Sequence, residues 1–254
     1  MKKTIIFILL FLGFSLPCIA DEIPASIYAR YRQIVSCVSR NDAEKLSTYI
    51  AYPLRREYPL PDIKNPAVFK AWYPKIFDQP FRKKLSTFSN KIVFERNGAY
   101  GLVGGEFHGE IWLNEQGKII AINYLSAEES KLKAALTVKI KNEMHPSVRD
   151  WTKNILVAQS LKLTIRIDET PKGFRYASWS KGRSMAEEPD LILYGGVAEP
   201  QGTMGGWSWS FTNGEWRYVV DDVRMAETDD QLGLFLRLYQ NDTEKSTIRL
   251  KEVR

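Results

Sequence analysis

The chain has 254 residues, 44% of them apolar and 26% charged, with a formal charge of +6. That apolar share lets stability come from buried cores, and the length suits one large domain or two ordinary ones. The absence of a long basic stripe excludes nucleic acid as a partner, and two histidines with two cysteines are too few for a zinc site of the usual donors.

Met1-Lys2-Lys3 is a short cationic start, and Thr4 to Leu16 is almost wholly apolar. Cys18-Ile19-Ala20 follows, with small residues at the positions a signal peptidase reads. This predicts a secretory signal peptide over residues 1–20, too short for a spanning helix, and no membrane span after its cleavage. The expected compartment is periplasmic or secreted. Pro17, directly before Cys18, argues against a lipid-anchored cysteine. Loss of Lys2 and Lys3 lowers the charge from +6 to +4 and leaves Cys37 as the single cysteine, so no internal disulfide can form.

Ile27, Tyr31, Ile34 and Val38 recur at helical spacing, and Asn41 or Asp42 can cap a second short helix carrying Leu46 and Ile50. Pro53, Pro59 and Pro61 predict an extended connection. A helix is expected from Asn65-Pro66 through Val68, Phe69, Trp72 and Ile76, ended by Pro80, and another from Phe81 to Phe88. The period then changes to two. Asn97-Gly98 predicts a tight hairpin between 92–95 and 100–103. Gln116-Gly117 predicts a second between 107–114 and 118–124, with Ile111 opposite Ile122 and Leu113 opposite Ile120. Residues 127–143 read as a charged helix.

Beyond His145-Pro146 the pattern is short strands separated by turns at Lys172-Gly173, Gly195-Gly196, Asn213-Gly214 and Asn241-Asp242. Strands at this spacing without long helices predict an antiparallel barrel or sandwich over 146–254. A two-residue turn at Asn213-Gly214 would pair Phe211 with Trp216, Trp209 with Tyr218 and Trp207 with Val220.

The Tyr31–Ile50 helical stretch, Tyr52-Pro53-Leu54-Arg55-Arg56, Asp62-Ile63-Lys64-Asn65 and the strand ending Ala121-Ile122-Asn123-Tyr124 together resemble an NTF2-like (SnoaL-like) domain of uncharacterised exported bacterial proteins. The resemblance implies an α+β cone, helices on a curved antiparallel sheet, over residues 21–145. The second half, with Tyr176-Ala177-Ser178-Trp179 and Pro189-Asp190-Leu191, resembles the small β domain appended in that group. More loosely it is similar to the periplasmic β-barrel inhibitors of lysozyme, which carry a disulfide this chain cannot form.

Glu106, His108, Glu110 and Trp112 are expected on one strand face, with Asn123 opposite Glu110. Two carboxylates beside an imidazole can hold it protonated or let it shuttle a proton, and these three are the candidate acid–base residues. Against this, the face opposite Ile111, Leu113 and Ile122 is the one a solvated strand would show. Arg55 and Arg56 can clamp a carboxylate or phosphate of a small anionic ligand bidentately, or form surface ion pairs. Trp72 and Tyr73 can line a cavity mouth or fill the core. Met204 and Trp207, beside the glycine-bearing loop 195–206, are candidates for partner contact.

No motif for a cofactor, a metal or a serine nucleophile is present. The reading favoured is a non-catalytic exported binding protein, an inhibitor or immunity-type factor for an envelope or toxin-like protein. The alternatives are an enzyme using an NTF2-like cavity on a small molecule, or a small-ligand carrier.

Overall fold

A computed structural model describes residues 23–202 and 206–253; the expected signal peptide lies outside them. The first helix, α1 (Ala25–Ser39), buries Ile27, Tyr31, Ile34, Cys37 and Val38 along one stripe. Asn41 takes a positive φ of 58° just past its end, and Asp42 caps α2 (Ala43–Ser47) by accepting from the Lys45 N–H. Asn65 caps α3 (Pro66–Ile76) in the same way. Asp78 caps α4 (Gln79–Leu85), so Pro80 sits in the first turn of α4, where its missing N–H costs nothing, rather than serving as a terminator.

Four strands follow: β1 (Val93–Arg96), β2 (Ala99–Gly104), β3 (Phe107–Leu113) and β4 (Ile119–Ile122). They pair in simple chain order. The cone expected for residues 21–145 is not what forms. Strands of four to seven residues span roughly 13–24 Å, too short to wrap around a helix. They make a small meander, and its inner face is filled by Tyr31, Ile34, Phe69, Phe81, Leu102, Ile111, Leu113 and Ile122 in one packed cluster. The outer edge of β4 is closed by the chain after α2. The Ala51 N–H donates to the Ile119 carbonyl at 2.9 Å, and the Ile119 N–H to the Tyr49 carbonyl at 2.7 Å.

Helix α5 (Ala127–Glu143) starts with a capping box, Ser126 and Glu129 each taking the other's backbone N–H. It leads to the second half, where eight strands form a closed antiparallel barrel: β5 (Lys153–Gln159), β6 (Leu163–Thr170), β7 (Gly173–Ser180), β8 (Leu191–Pro200), β9 (Trp207–Asn213), β10 (Trp216–Val223), β11 (Gly233–Gln240) and β12 (Thr243–Glu252). Of the two expected architectures, barrel and sandwich, the barrel forms. Its closing seam is short: Lys251 pairs with Gln159 and Glu252 with Ala158, extended by the Val253 N–H on the Val157 carbonyl.

The barrel is packed, not hollow. Tyr176 lies 5.6 Å from Phe211 and 5.8 Å from Tyr218, among Ile165, Ile167, Trp209, Val220, Leu236 and Leu250. At Gly196 an added Cβ would sit 2.2 Å from the Phe211 ring, so only glycine lets β8 pass under that ring. The hairpin at Asn213 differs from expectation by two residues. Asn213 pairs with Trp216, Phe211 with Tyr218 and Trp209 with Val220. A slip of two keeps every side chain on its face, which is why the interior set is still the expected one.

A third cluster joins the halves. Met144, Val148 and Trp151, with Tyr58 and Ile140, pack onto Ala177, Trp179 and Ile192 on the outer wall of the barrel.

Candidate functional site

The expected Glu106–His108–Glu110 face does not form: Glu106 lies in the β2–β3 turn, and Gly109 breaks the alternation between His108 and Glu110. Gly109 has φ +88°, and the β2–β3 register shifts between Gly101 and Val103, setting three β3 residues against one of β2. Glu110 is thereby buried, 8% exposed, and paired with Lys84 of α4. What it takes from His108 is the backbone N–H, at 2.8 Å, not the imidazole. Glu106 and the His108 side chain are exposed, and Asn123 donates through its amide to the Gly109 carbonyl. Burial alone would raise the Glu110 pKa, but the Lys84 hydrogen bond and the His108 N–H outweigh it and hold the carboxyl below its ordinary value. A carboxylate held ionised in an ion pair is not a general acid.

The two arginines separate. Arg56 is 4% exposed and makes the bidentate clamp its chemistry suggests, but on the chain's own Glu129: Nε to Oε1 at 2.9 Å and Nη2 to Oε2 at 2.8 Å. It also donates to the carbonyls of Ile122 and Tyr124, fastening the start of α5 to the end of β4. Arg55 faces outward, its side chain 60% exposed, with Nη1 2.8 Å from Glu252 of β12.

Tyr73 does not line a cavity mouth. It is 2% exposed and stacked on Phe77 at 5.0 Å, with the Arg82 guanidinium 5.2 Å over its ring. Its neighbour Trp72 packs half-buried against the same core. Trp207 stands at the barrel rim, 44% exposed, stacked on Trp209 at 6.5 Å and paired with Pro200 and Asp222. Met204 lies outside the described residues. Cys37 is buried, and burial pushes its thiol pKa up, away from nucleophilic reactivity. His145 accepts from the Ser147 N–H at the start of a short helical turn. Among the described residues no group of three or more His, Cys, Asp and Glu side chains could hold a metal ion, and no helix is long and apolar enough to cross a membrane.

The concavity that these elements create is a cleft of roughly 670 Å³ between residues 51–57 and 120–125. Tyr52 and Pro53 form one wall, Ile120 and Leu125 the other, and Arg55 and Asn123 bring polar groups to it. Ile120 is 39% exposed because the β3–β4 register shifts between Trp112 and Leu113, leaving it bulged from the ladder. The Tyr52 hydroxyl donates to the Ser47 carbonyl, and burial pushes its pKa up to about 12. Glu57 is paired with Lys133 of α5. The cleft therefore offers the Arg55 cation, paired with Glu252, beside apolar walls.

A second polar cluster escaped the sequence reading altogether. Arg166 and Asp168 on β6 and Arg175 on β7 are each 0% exposed, on the outer barrel wall beneath Trp151. Alternation with Ile165 and Ile167 makes them look like an ordinary solvated face. The available signal was Trp151 and Trp179, two large side chains outside the barrel-filling pattern that have to cover something.

No known family profile matches the chain, and no curated protein and no solved structure is significantly similar to it.

Proposed function

We propose that the chain is an exported, non-catalytic binding protein acting in the periplasm or outside the cell, and that a partner protein seats in the cleft beside Arg55. The cleft carries this reading. It combines an exposed guanidinium with an exposed isoleucine at the β4 bulge, and exposed Arg beside apolar surface is the chemistry of protein contact. The cationic leader-like start and apolar run of residues 1–20 support export. Inhibition of, or immunity to, an envelope or toxin-like protein is the form such binding would take.

The test is quantitative capture from a native envelope fraction with the chain lacking residues 1–20, beside an Arg55→Glu/Ile120→Asp variant of unchanged circular dichroism. A stoichiometric protein retained by the first and lost by the second supports the reading. Equal retention by both, or none by either, overturns it.

A further inference from the structure

We propose that the seam between the barrel wall and the helical half holds a small, weakly hydrated monoanion, of the halide class, against Arg166. Asp168 is the one carboxylate fully enclosed there. Its Oδ2 receives Arg166 Nε and Arg175 Nη2, each at 2.8 Å, and its Oδ1 receives the Asn154 amide at 3.0 Å. Both arginine side chains are 0% exposed. Arg175 also forms an ion pair with Asp150, whose side chain is 54% exposed. Two enclosed guanidinium groups thus share one enclosed carboxylate oxygen.

The donors left over are concentrated at the same place. Arg166 Nη1 and Nη2, Arg175 Nε and Trp151 Nε1 are all buried and have no hydrogen-bond partner among the described residues. Arginine keeps its proton at any accessible pH, so this site cannot neutralise itself. Leaving a charged donor edge unpaired in the interior is strongly destabilising. A third cation stands close by: Lys141 Nζ donates to the Trp151 carbonyl and lies 4.8 Å from the Trp151 ring centroid, against 4.9 Å for the Arg166 guanidinium.

A water molecule can accept from these donors but adds no charge, whereas a monoanion also balances the one cation left over where Arg166, Arg175 and Lys141 face Asp168 and Asp150. One excess charge calls for a monoanion over a phosphate. The walls choose among monoanions. Trp151 and Tyr58, the latter 5.9 Å from the guanidinium, are aromatic, so an ion that sheds its hydration cheaply fits better than fluoride. Because Tyr58 and Lys141 belong to the helical half, the bound ion would tie the two halves together. The site is independent of the cleft, and neither proposal rests on the other.

The test is thermal unfolding of the full chain at fixed sodium concentration, replacing fluoride or gluconate by chloride or bromide. We expect a saturable rise in Tm on the order of 5 °C once the ion far exceeds its dissociation constant. The rise should vanish in Arg166→Leu and persist in Lys245→Ala, an exposed cation on β12 away from the seam. Since Arg166→Leu can fail to fold, bromide-soaked crystals of the native chain give the second measurement, with an anomalous peak expected within hydrogen-bond reach of Arg166 Nη1 or Nη2. Identical Tm in all four salts, a rise unchanged in a folded Arg166→Leu chain, or a peak-free site in bromide each overturns the proposal.

Discussion

The helical half and the barrel both bury guanidinium groups, and they handle the charge differently. Arg56 meets Glu129 as one cation on one anion, fork to fork, with two backbone carbonyls taking further N–H groups. Arg166 and Arg175 instead converge on a single Asp168 oxygen and leave donors over. The first arrangement is complete within the chain and serves as a rivet between β4 and α5. The second lies where two separately formed cores meet, and it balances only with help from outside the enclosed set. Burial of charge is thus structural in one region and an opening for a ligand in the other.

The largest effect we expect comes from breaking the complete pair. Arg56→Met strands the fully buried Glu129 carboxylate, which typically costs 3–5 kcal/mol. Urea unfolding at unchanged m-value would register it as a lower midpoint. The double variant Arg56→Met/Glu129→Leu should recover most of the loss, since no charge is then left behind. If the double variant is as unstable as the single one, the pair's cost of removal lies in its hydrogen bonds to Ile122, Tyr124 and the Ser126 N–H rather than in the stranded charge.

Next come two glycines under aromatic rings, one in each half. Gly196→Ala drives a Cβ into Phe211, which is 1% exposed and held on all sides. Overpacking of that kind costs about 1–3 kcal/mol. Gly101→Ala meets Trp112 at 2.6 Å, but Trp112 is only half-buried and its indole is held by one hydrogen bond to the Gly109 carbonyl, so its loss should be the smaller. Paired denaturation curves decide it; an equal or larger loss at Gly101 would mean that the Trp112 ring is as fixed as a core residue.

How much of this was legible beforehand follows the range of the interactions. Period and caps are local, so α1, the Asp42 and Asn65 caps and the run 127–143 could be read directly. The Asn97-Gly98 turn fixed the Arg96–Ala99 pairing for the same reason, and the barrel was within reach because turn residues punctuate short strands at Lys172-Gly173, Asn213-Gly214 and Asn241-Asp242, whereas Gly195-Gly196, expected as a turn, lies inside β8. The cone does not form, and element order does not foretell this because it reveals neither strand length nor the path of the chain that covers a sheet edge. The Glu-His-Glu face is broken by the turn at Gly105-Glu106 and by the positive φ at Gly109, which alternation cannot anticipate. Arg166 and Arg175 were invisible because what covers them, Trp151 and Tyr58, arrives from distant sequence.

Glu110 supplies a pH test within the helical half. Its folded pKa lies below its ordinary value of 4.5, so the stabilisation it brings is fully present above the unfolded value. It is lost as pH falls through the lower folded one. Stability should therefore decline on acidification below about pH 4.5, and Glu110→Gln, already lacking that charge, should show a shallower acid limb in unfolding midpoints measured from pH 7 to pH 3. An acid limb of unchanged slope would assign the loss to other carboxylates.

The smallest stability effect, and the one that separates folding from binding, is at Arg55. Its pair with Glu252 is the outermost link between the halves, with side chains 60% and 27% exposed, and exposed pairs contribute only about 0–1 kcal/mol. Arg55→Ala should leave the unfolding midpoint nearly where it was. Yet the same side chain is the exposed cation of the cleft, so partner capture should fall sharply in a chain that is as stable as before. A large drop in midpoint would instead make Arg55 a structural clasp between the halves, and the contrast with Arg56, one residue away and buried, would disappear.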